Sequence, residues 1–206
     1  MNSQKSVLLN AIVRTADKIR LLQQAIACFD DTQAYKELFL YFQPSLEQFA
    51  FSIVRSKEIA EEIVSDVFIK IWERRHLLDK VENLKFYLFT AVKNGAINKI
   101  HQQKKASILS IDDAPVELKS FYHDPEQQLI SAEMIKQLNE IIDQLPPRCK
   151  LIFKLIKEDE LSYKEVAELL HISVKTVESQ MSLALKKLGT AIHFLLYHPV
   201  SVYSEN

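Results

Sequence analysis

The sequence predicts an all-α protein: two small helical domains joined by an acidic linker, the C-terminal one a helix-turn-helix. Three observations carry this. Two glycines and six prolines leave few strand-turn signals in a 206-residue chain that is 48% hydrophobic. Apolar residues recur at helical spacing on both sides of a middle segment that lacks any sustained period. That segment, "ASILSIDDAPVELKSFYHDPEQQ", carries Pro115, Pro125 and five acids against one lysine. It reads as a linker; the alternative, a long loop inside one domain, runs against the rarity of structureless loops of that length.

In chain order, helices are expected near 17–28, 33–54, 57–75 and 84–104, then near 125–144, 147–158, 163–170 and 174–195. Pro44 falls inside the second and should kink or split it. Asp124 and Pro125 form an N-cap followed by a first-turn proline, which starts the fifth. The domains are therefore expected over 31–105 and 125–195, with an extension over 1–30, a linker over 106–124 and a tail over 196–206.

The third helix, "KEIAEEIVSDVFIKIWERR", turns Ala60, Ile63, Val64, Val67, Phe68 and Ile71 to one face, which is core. Opposite lie Glu62, Ser65, Asp66 and Glu73, with Ile69 in the middle and Trp72 on the rim. An apolar centre with a large aromatic and a charged rim has the anatomy of a protein docking site; ordinary packing on the preceding helix is the alternative. The fourth helix lies in "NLKFYLFTAVKNGAINKIHQQKK", which has five lysines, no acid and three aromatics. Lys85, Lys93, Lys99 and Lys104 share a broad arc with apolar residues, which suits a phosphate-contacting helix with a buried underside. Phe86, Tyr87 and Phe89 could stack on unpaired bases or belong to the core.

Ser162 and Glu165 form a capping box that starts the seventh helix. It ends within three turns near His171, where a positive φ is expected, and Ser173 is a second N-cap candidate. Val174, Val177, Met181, Ala184, Leu185 and Leu188 fall on one face of the eighth helix. The opposite face carries Lys175, Ser179, Ser182 and Lys186, with Thr176 and Leu183 at its edge. Lysines there suit phosphates and small hydroxyls suit base edges; Glu178, nearer the core side, could accept from cytosine or be solvated. A solvated helix in an ordinary bundle is the alternative.

Composition narrows the classes further. A net charge of -1 and a pI of about 6.6 count against a free-standing nucleic-acid binder, so any DNA affinity must come from local charge. That charge is uneven: +2 over residues 31–105, -4 over 106–128 and zero over 129–189. Cys28 and Cys149 are too few and too far apart for a disulfide framework or a Cys-rich zinc site, which fits a reducing cytoplasm. No stretch is apolar enough for a signal peptide or a membrane span, so no membrane insertion is expected. Without a glycine-rich phosphate loop, a metal-spaced His/Cys cluster or a Gly-flanked serine, no catalytic residue, metal or cofactor is expected, and the chain reads as a non-enzyme.

Three stretches in this order, "AEEIVSDVFIKIWERR", "FYLFTAVKNGAINKI" and "LPPRCKLIFKLIKEDELSYKEVAELLHISVKTVESQMSLALKKL", resemble the extracytoplasmic-function (ECF) subfamily of bacterial RNA polymerase sigma factors. The resemblance spans roughly residues 30–105 and 125–189. It implies a first domain that grips the polymerase core and opens the minus-ten element, and a second that reads the minus-thirty-five element. By position, Glu62, Ser65, Asp66, Ile69 and Trp72 would bind the core enzyme. The segment from His76 to Asn83 would capture a flipped base, and Asn83, Tyr87, Lys93, Asn94, Asn98 and Lys99 would contact minus-ten DNA. Ser173, Lys175, Thr176, Glu178, Ser179, Ser182 and Lys186 would contact minus-thirty-five DNA. The implied partners are RNA polymerase core enzyme, promoter DNA and, as for many relatives, an inhibitory anti-sigma protein. The sequence departs from the family pattern at Ser65 (usually glutamine), Asn98 (usually aspartate), "HQQKK" (often arginine-rich), and at Asp159-Glu160 and His171, where glycines are frequent. The rivals are a helix-turn-helix regulator that is not a polymerase subunit and a helical interaction protein that binds no DNA. The basic, aromatic segment over 83–105 argues against both.

Overall fold

The computed structural model describes residues 17–106 and 139–197; the expected linker, the Asp124-Pro125 helix start and both chain ends lie outside the described residues. Every regular element among the described residues is helical. The chain divides between Ile111 and Asp112 into two compact units.

The first unit holds α1 (17–29), α2 (Thr32–Val54), α3 (Lys57–Glu73), a 3₁₀ segment (Arg75–Lys80) and α4 (Leu84–Ala106). Local chemistry sets the boundaries. Asp30 adopts φ 53°, and Asp31 then caps α2 by accepting from the Gln33 and Ala34 N–H groups at 2.9 and 3.0 Å. Arg55, at φ 60°, ends α2, and Ser56 caps α3 through the Ile59 N–H at 3.3 Å. Leu38, Phe42, Leu46 and Phe49 of α2 pack against Ile63, Val64, Phe68 and Ile71 of α3 and Leu88, Phe89 and Val92 of α4, all buried. Phe39–Phe68 and Phe49–Phe89 meet edge-on at 4.9 and 5.2 Å. Each such side chain contributes about 1.5–3 kcal/mol through burial. α3 and α4 approach closely at Gly95, where a Cβ would lie 3.0 Å from Ile63 Cγ2.

Two expectations meet the structure in this unit. Of the two outcomes expected at Pro44, a kink or a split, the split does not occur: α2 runs through the proline as one helix. Pro44 lies on the exposed side of α2, where water can meet the carbonyl that its missing N–H leaves free. α3 ends at Glu73 rather than at residue 75: Arg74 leaves helical geometry, and the chain tightens into the 3₁₀ segment with Leu78 buried. The two arginines do not oppose a helix; the inward anchoring of Leu78 ends it.

The second unit holds the end of a helix, α5 (139–143), then α6 (Pro147–Lys157), α7 (Tyr163–Leu170) and α8 (Val174–Tyr197). Cys149, Ile152 and Leu155 of α6, Val166 and Leu169 of α7, and Val177, Met181, Ala184 and Leu188 of α8 form its core. Pro147 opens α6 at the first helical position, where the missing N–H has no intrahelical role. The α6–α7 turn passes through Glu160 at φ 53°, and the Leu161 N–H returns to Leu155 O at 2.9 Å. The expected capping box is present: Glu165 N–H donates to Ser162 Oγ at 3.2 Å, and Ser162 N–H to Glu165 Oε2 at 2.6 Å. His171 adopts φ 52°, ψ 48°, and Ser173 caps α8 by accepting from the Thr176 N–H at 3.0 Å.

Val174 and Leu185, expected on the core stripe of α8, are exposed, Leu185 by 51%. At about 100° per residue they lie roughly 50–70° to one side of the centre of the buried stripe, at its edge, where the cover from α6 and α7 ends. In the other direction, Lys150 and Lys154 are buried. Lys150 pairs with Asp143 at 2.6 Å, and Lys154 lies 3.9 Å from Glu158. Burial pushes the Glu158 carboxyl above the usual carboxylate range, against the opposing pull of Lys154 and Lys150.

Candidate functional site

Three surfaces carry the residues of interest. On α3, Glu62, Ser65, Asp66 and Ile69 are exposed, Ile69 by 55%. Trp72 is half-buried: its ring lies 4.9 Å from that of Tyr35 at a tilt of 59°, and the Arg75 guanidinium lies 4.7 Å from its centroid. Arg75 also donates to Trp72 O at 3.0 Å and pairs with Asp30. The Tyr35 hydroxyl donates to Phe68 O at 2.9 Å, so the whole aromatic edge is held in place. Ile69 thus sits as an open apolar centre beside a fixed aromatic.

On α4, Tyr87, Asn94 and Asn98 are exposed and Lys93 is half-buried. Phe89 is fully buried against Phe49, so of the three aromatics it belongs to the core; Phe86 is half-buried and Tyr87 is 45% exposed. Lys99 donates to Glu62, and that hydrogen bond, with the charges of Glu62 and Asp66, raises the ammonium pKa against the opposing effect of burial. Two residues expected on separate surfaces therefore form one bridge from α3 to α4. Between those helices runs a groove with Asp66, Lys70 and Arg74 on one wall and Tyr87, Asn94 and Asn98 on the other. Lys70 and Arg74 were not among the expected site residues. Their i, i+4 spacing beside Asp66 was the available signal, but which side of α3 faces α4 is a tertiary fact.

The segment between the two helices exposes His76, Leu77, Lys80, Glu82 and Asn83 and buries Leu78. Asn83 is the N-cap of α4, its Oδ1 accepting from the Phe86 N–H at 3.0 Å. Asp79 Oδ1 is buried with no hydrogen-bond partner among the described residues. Gln23 of α1, itself 2% exposed, reaches this segment and donates from Nε2 to Leu78 O and Val81 O, both at 3.0 Å.

On α8, Lys175, Glu178, Ser179, Ser182 and Lys186 are exposed and Thr176 is half-buried. Ser173, used as the cap, also bonds Thr176 Oγ1 at 2.8 Å. Ser179 donates to Lys175 O at 2.9 Å, which leaves its lone pairs to accept from outside. The turn before α8 is fixed by His171, whose N–H bonds Glu168 O at 3.3 Å.

Among the described residues, no group of three or more His, Cys, Asp or Glu side chains could hold a metal ion, and no helix is long and apolar enough to cross a membrane. Cys149 donates to Gln180 O at 3.3 Å, and burial pushes its thiol pKa up, which suits a packing role rather than reactivity.

Comparison with known proteins gives two family matches, Sigma-70 region 2 over residues 38–106 and Sigma-70 region 4 over residues 135–188. The chain is similar to the ECF RNA polymerase sigma factor SigW of Bacillus subtilis (strain 168), at 23% identity over 73% of this chain and 84% of that protein. It is similar to the ECF RNA polymerase sigma factor RpoE of Cereibacter sphaeroides, at 23% identity over 81% of this chain and 91% of that protein. Among solved structures it matches CnrH in complex with the cytosolic domain of CnrY, at 19% identity and TM-score 0.46, over 85% of this chain and 97% of that one.

Proposed function

Because the chain belongs to the ECF subfamily of RNA polymerase sigma factors, we infer that it binds the polymerase core enzyme and directs promoter-specific initiation, with the surfaces described above dividing that work. The carrying observation is that region 2 and region 4 are both present in order, one in each compact unit.

The α3 face, with Glu62, Ser65, Asp66, Ile69 and Trp72, binds the core enzyme. Its support is the exposed isoleucine beside a pinned aromatic, a geometry that gains from burial against protein. Residues 76–83 capture a flipped base of the minus-ten element, and Asn83, Tyr87, Lys93, Asn94, Asn98 and Lys99 contact that DNA. Here Tyr87 is the aromatic free to stack, and the groove adds the cations of Lys70 and Arg74. On α8, Lys175, Ser179, Ser182 and Lys186 face the minus-thirty-five duplex, with Ser173, Thr176 and Glu178 flanking them. The protein works in the cytoplasm, without catalysis or cofactor of its own.

Zero net charge over residues 129–189 leaves few uncompensated cations for counterion release, so the chain alone binds duplex DNA weakly and specificity appears only in the holoenzyme. Run-off transcription with core enzyme on a promoter library tests this. Core-dependent initiation at a defined promoter class is expected. Tight sequence-specific DNA binding by the chain alone, without association with core, would instead identify a regulator that is not a polymerase subunit.

A further inference from the structure

We propose that α1, which precedes the region 2 match beginning at residue 38, is a brace that shapes the base-capture segment over 76–83, with Gln23 as its positioning residue. The inference rests on the assignment of base capture to that segment.

Gln23 uses both N–H groups of one uncharged amide on two backbone carbonyls, Leu78 O and Val81 O, at 3.0 Å each. These carbonyls bracket Asp79 and Lys80, so one side chain sets the width of the bend. Few residue types can do this. Leucine would remove both donors at once, leaving Leu78 O with only the Val81 N–H and Val81 O with only the long Arg20 contact, and glutamate would set a carboxylate oxygen against both carbonyls. Arg20 adds a longer contact from Nη1 to Val81 O at 3.5 Å. At the other end of α1, Asp30 pairs with Arg75, the first residue of the 3₁₀ segment, and Arg75 lies over Trp72. α1 and the residue that follows it therefore hold the segment at both ends.

The segment needs external support. A 3₁₀ run of six residues has poorer hydrogen-bond geometry than an α-helix. Asp79 Oδ1 is buried without a partner among the described residues, which costs further free energy. Because the shape of the bend decides which base it accepts, the brace should act on minus-ten preference and strand opening. Gln23, which sits at the end of the segment away from the Asp30–Arg75–Trp72 contacts, should not act on docking through Ile69 or on the second unit.

The test uses holoenzyme reconstituted with the full chain. Gln23→Leu is compared with the parent and with Leu77→Ala and Glu82→Ala inside the segment. Measurements are core affinity, the 2-aminopurine signal of a flipped minus-ten base, and initiation from templates randomised at either element. Gln23→Leu is expected to slow strand opening about tenfold and flatten minus-ten preference, with core affinity within about twofold and minus-thirty-five preference unchanged. A premelted template should recover the rate and not the preference. Parent-like preference in Gln23→Leu, with the segment variants shifted, overturns the brace alone. Parent-like preference in all three overturns the brace together with the assignment of base capture. Core affinity and opening falling in equal proportion would make Gln23 a general stability residue and also overturn the brace. If Gln23→Leu does not fold, the exposed Arg20→Ala decides: a smaller shift in minus-ten preference supports the brace, and none overturns it.

Discussion

The outward faces of α3 and α8 both lie opposite a buried apolar stripe, yet they are finished in different ways. The α3 face has an isoleucine at its centre, an aromatic pinned by Tyr35 and Arg75, and an acid tied across to Lys99 on α4. The α8 face has short hydroxyls and lysines, and Ser179 at its middle bonds back to its own helix at Lys175 O. Protein docking gains from apolar area that is already ordered, because little side-chain entropy remains to be lost. Reading a DNA groove gains from small groups with lone pairs turned outward and from cations left free to find phosphates. Helical periodicity is the same in both; the chemistry of the outward positions tells them apart.

The largest effect should come from placing a charge at the α3 centre. Ile69→Glu is expected to abolish association with core enzyme, at a cost of at least about 3 kcal/mol for desolvating an unpaired carboxylate, while helicity stays at the parent value. Core binding by the folded variant would remove this face from the docking role. A mutant that unfolds would show Ile69 to be part of the core after all.

On the other face, Ser179→Ala should leave stability within about 0.5 kcal/mol, since the side chain lies opposite the buried stripe. It should shift minus-thirty-five preference by ~1–3 kcal/mol at one or two adjacent base pairs. If substitutions at both Ser179 and Lys175 leave that preference unmoved while core binding persists, α8 is scaffold and the contrast between the faces collapses.

Lys186→Ala sharpens the division within α8. It should weaken all promoters to a similar degree and lower the salt slope by about 1, the signature of a lost phosphate contact. A sequence-selective effect would move Lys186 among the base readers.

The smallest effect concerns what holds the α3 edge. The hydrogen bond from Arg75 keeps the Asp30 carboxyl below the usual carboxylate range. A depressed folded-state pKa gives stability that is present above the unfolded value and lost as pH falls through the folded one. The difference in Tm between the parent and Asp30→Asn should therefore be steady from pH 7 to about 4 and shrink below that. It should be small throughout, because the pair is solvent-exposed. A difference that grows on acidification would contradict the pairing.

Much of the fold was legible in the chain because its signals are local. Ser162 and Ser173, read as caps from the sequence, cap helices through N–H groups three residues away, so their role is written in nearby positions; Asp31 and Ser56, not singled out beforehand, act in the same local way. The positive φ of His171 followed from a turn with no glycine to supply it. The stripe of Val177, Met181, Ala184 and Leu188, and the exposure of Ile69, followed from helical spacing alone. What could not be read depends on which element lies opposite. Leu185 is exposed because α6 and α7 cover a narrower stripe than its apolarity suggests, and Lys150 is buried because Asp143 waits beside it. Lys99 meets Glu62 across 37 residues, and Gln23 meets Leu78 and Val81 across 55 and 58. Periodicity assigns a residue to a face of its own helix; only packing decides whether that face meets water, a charge or another backbone.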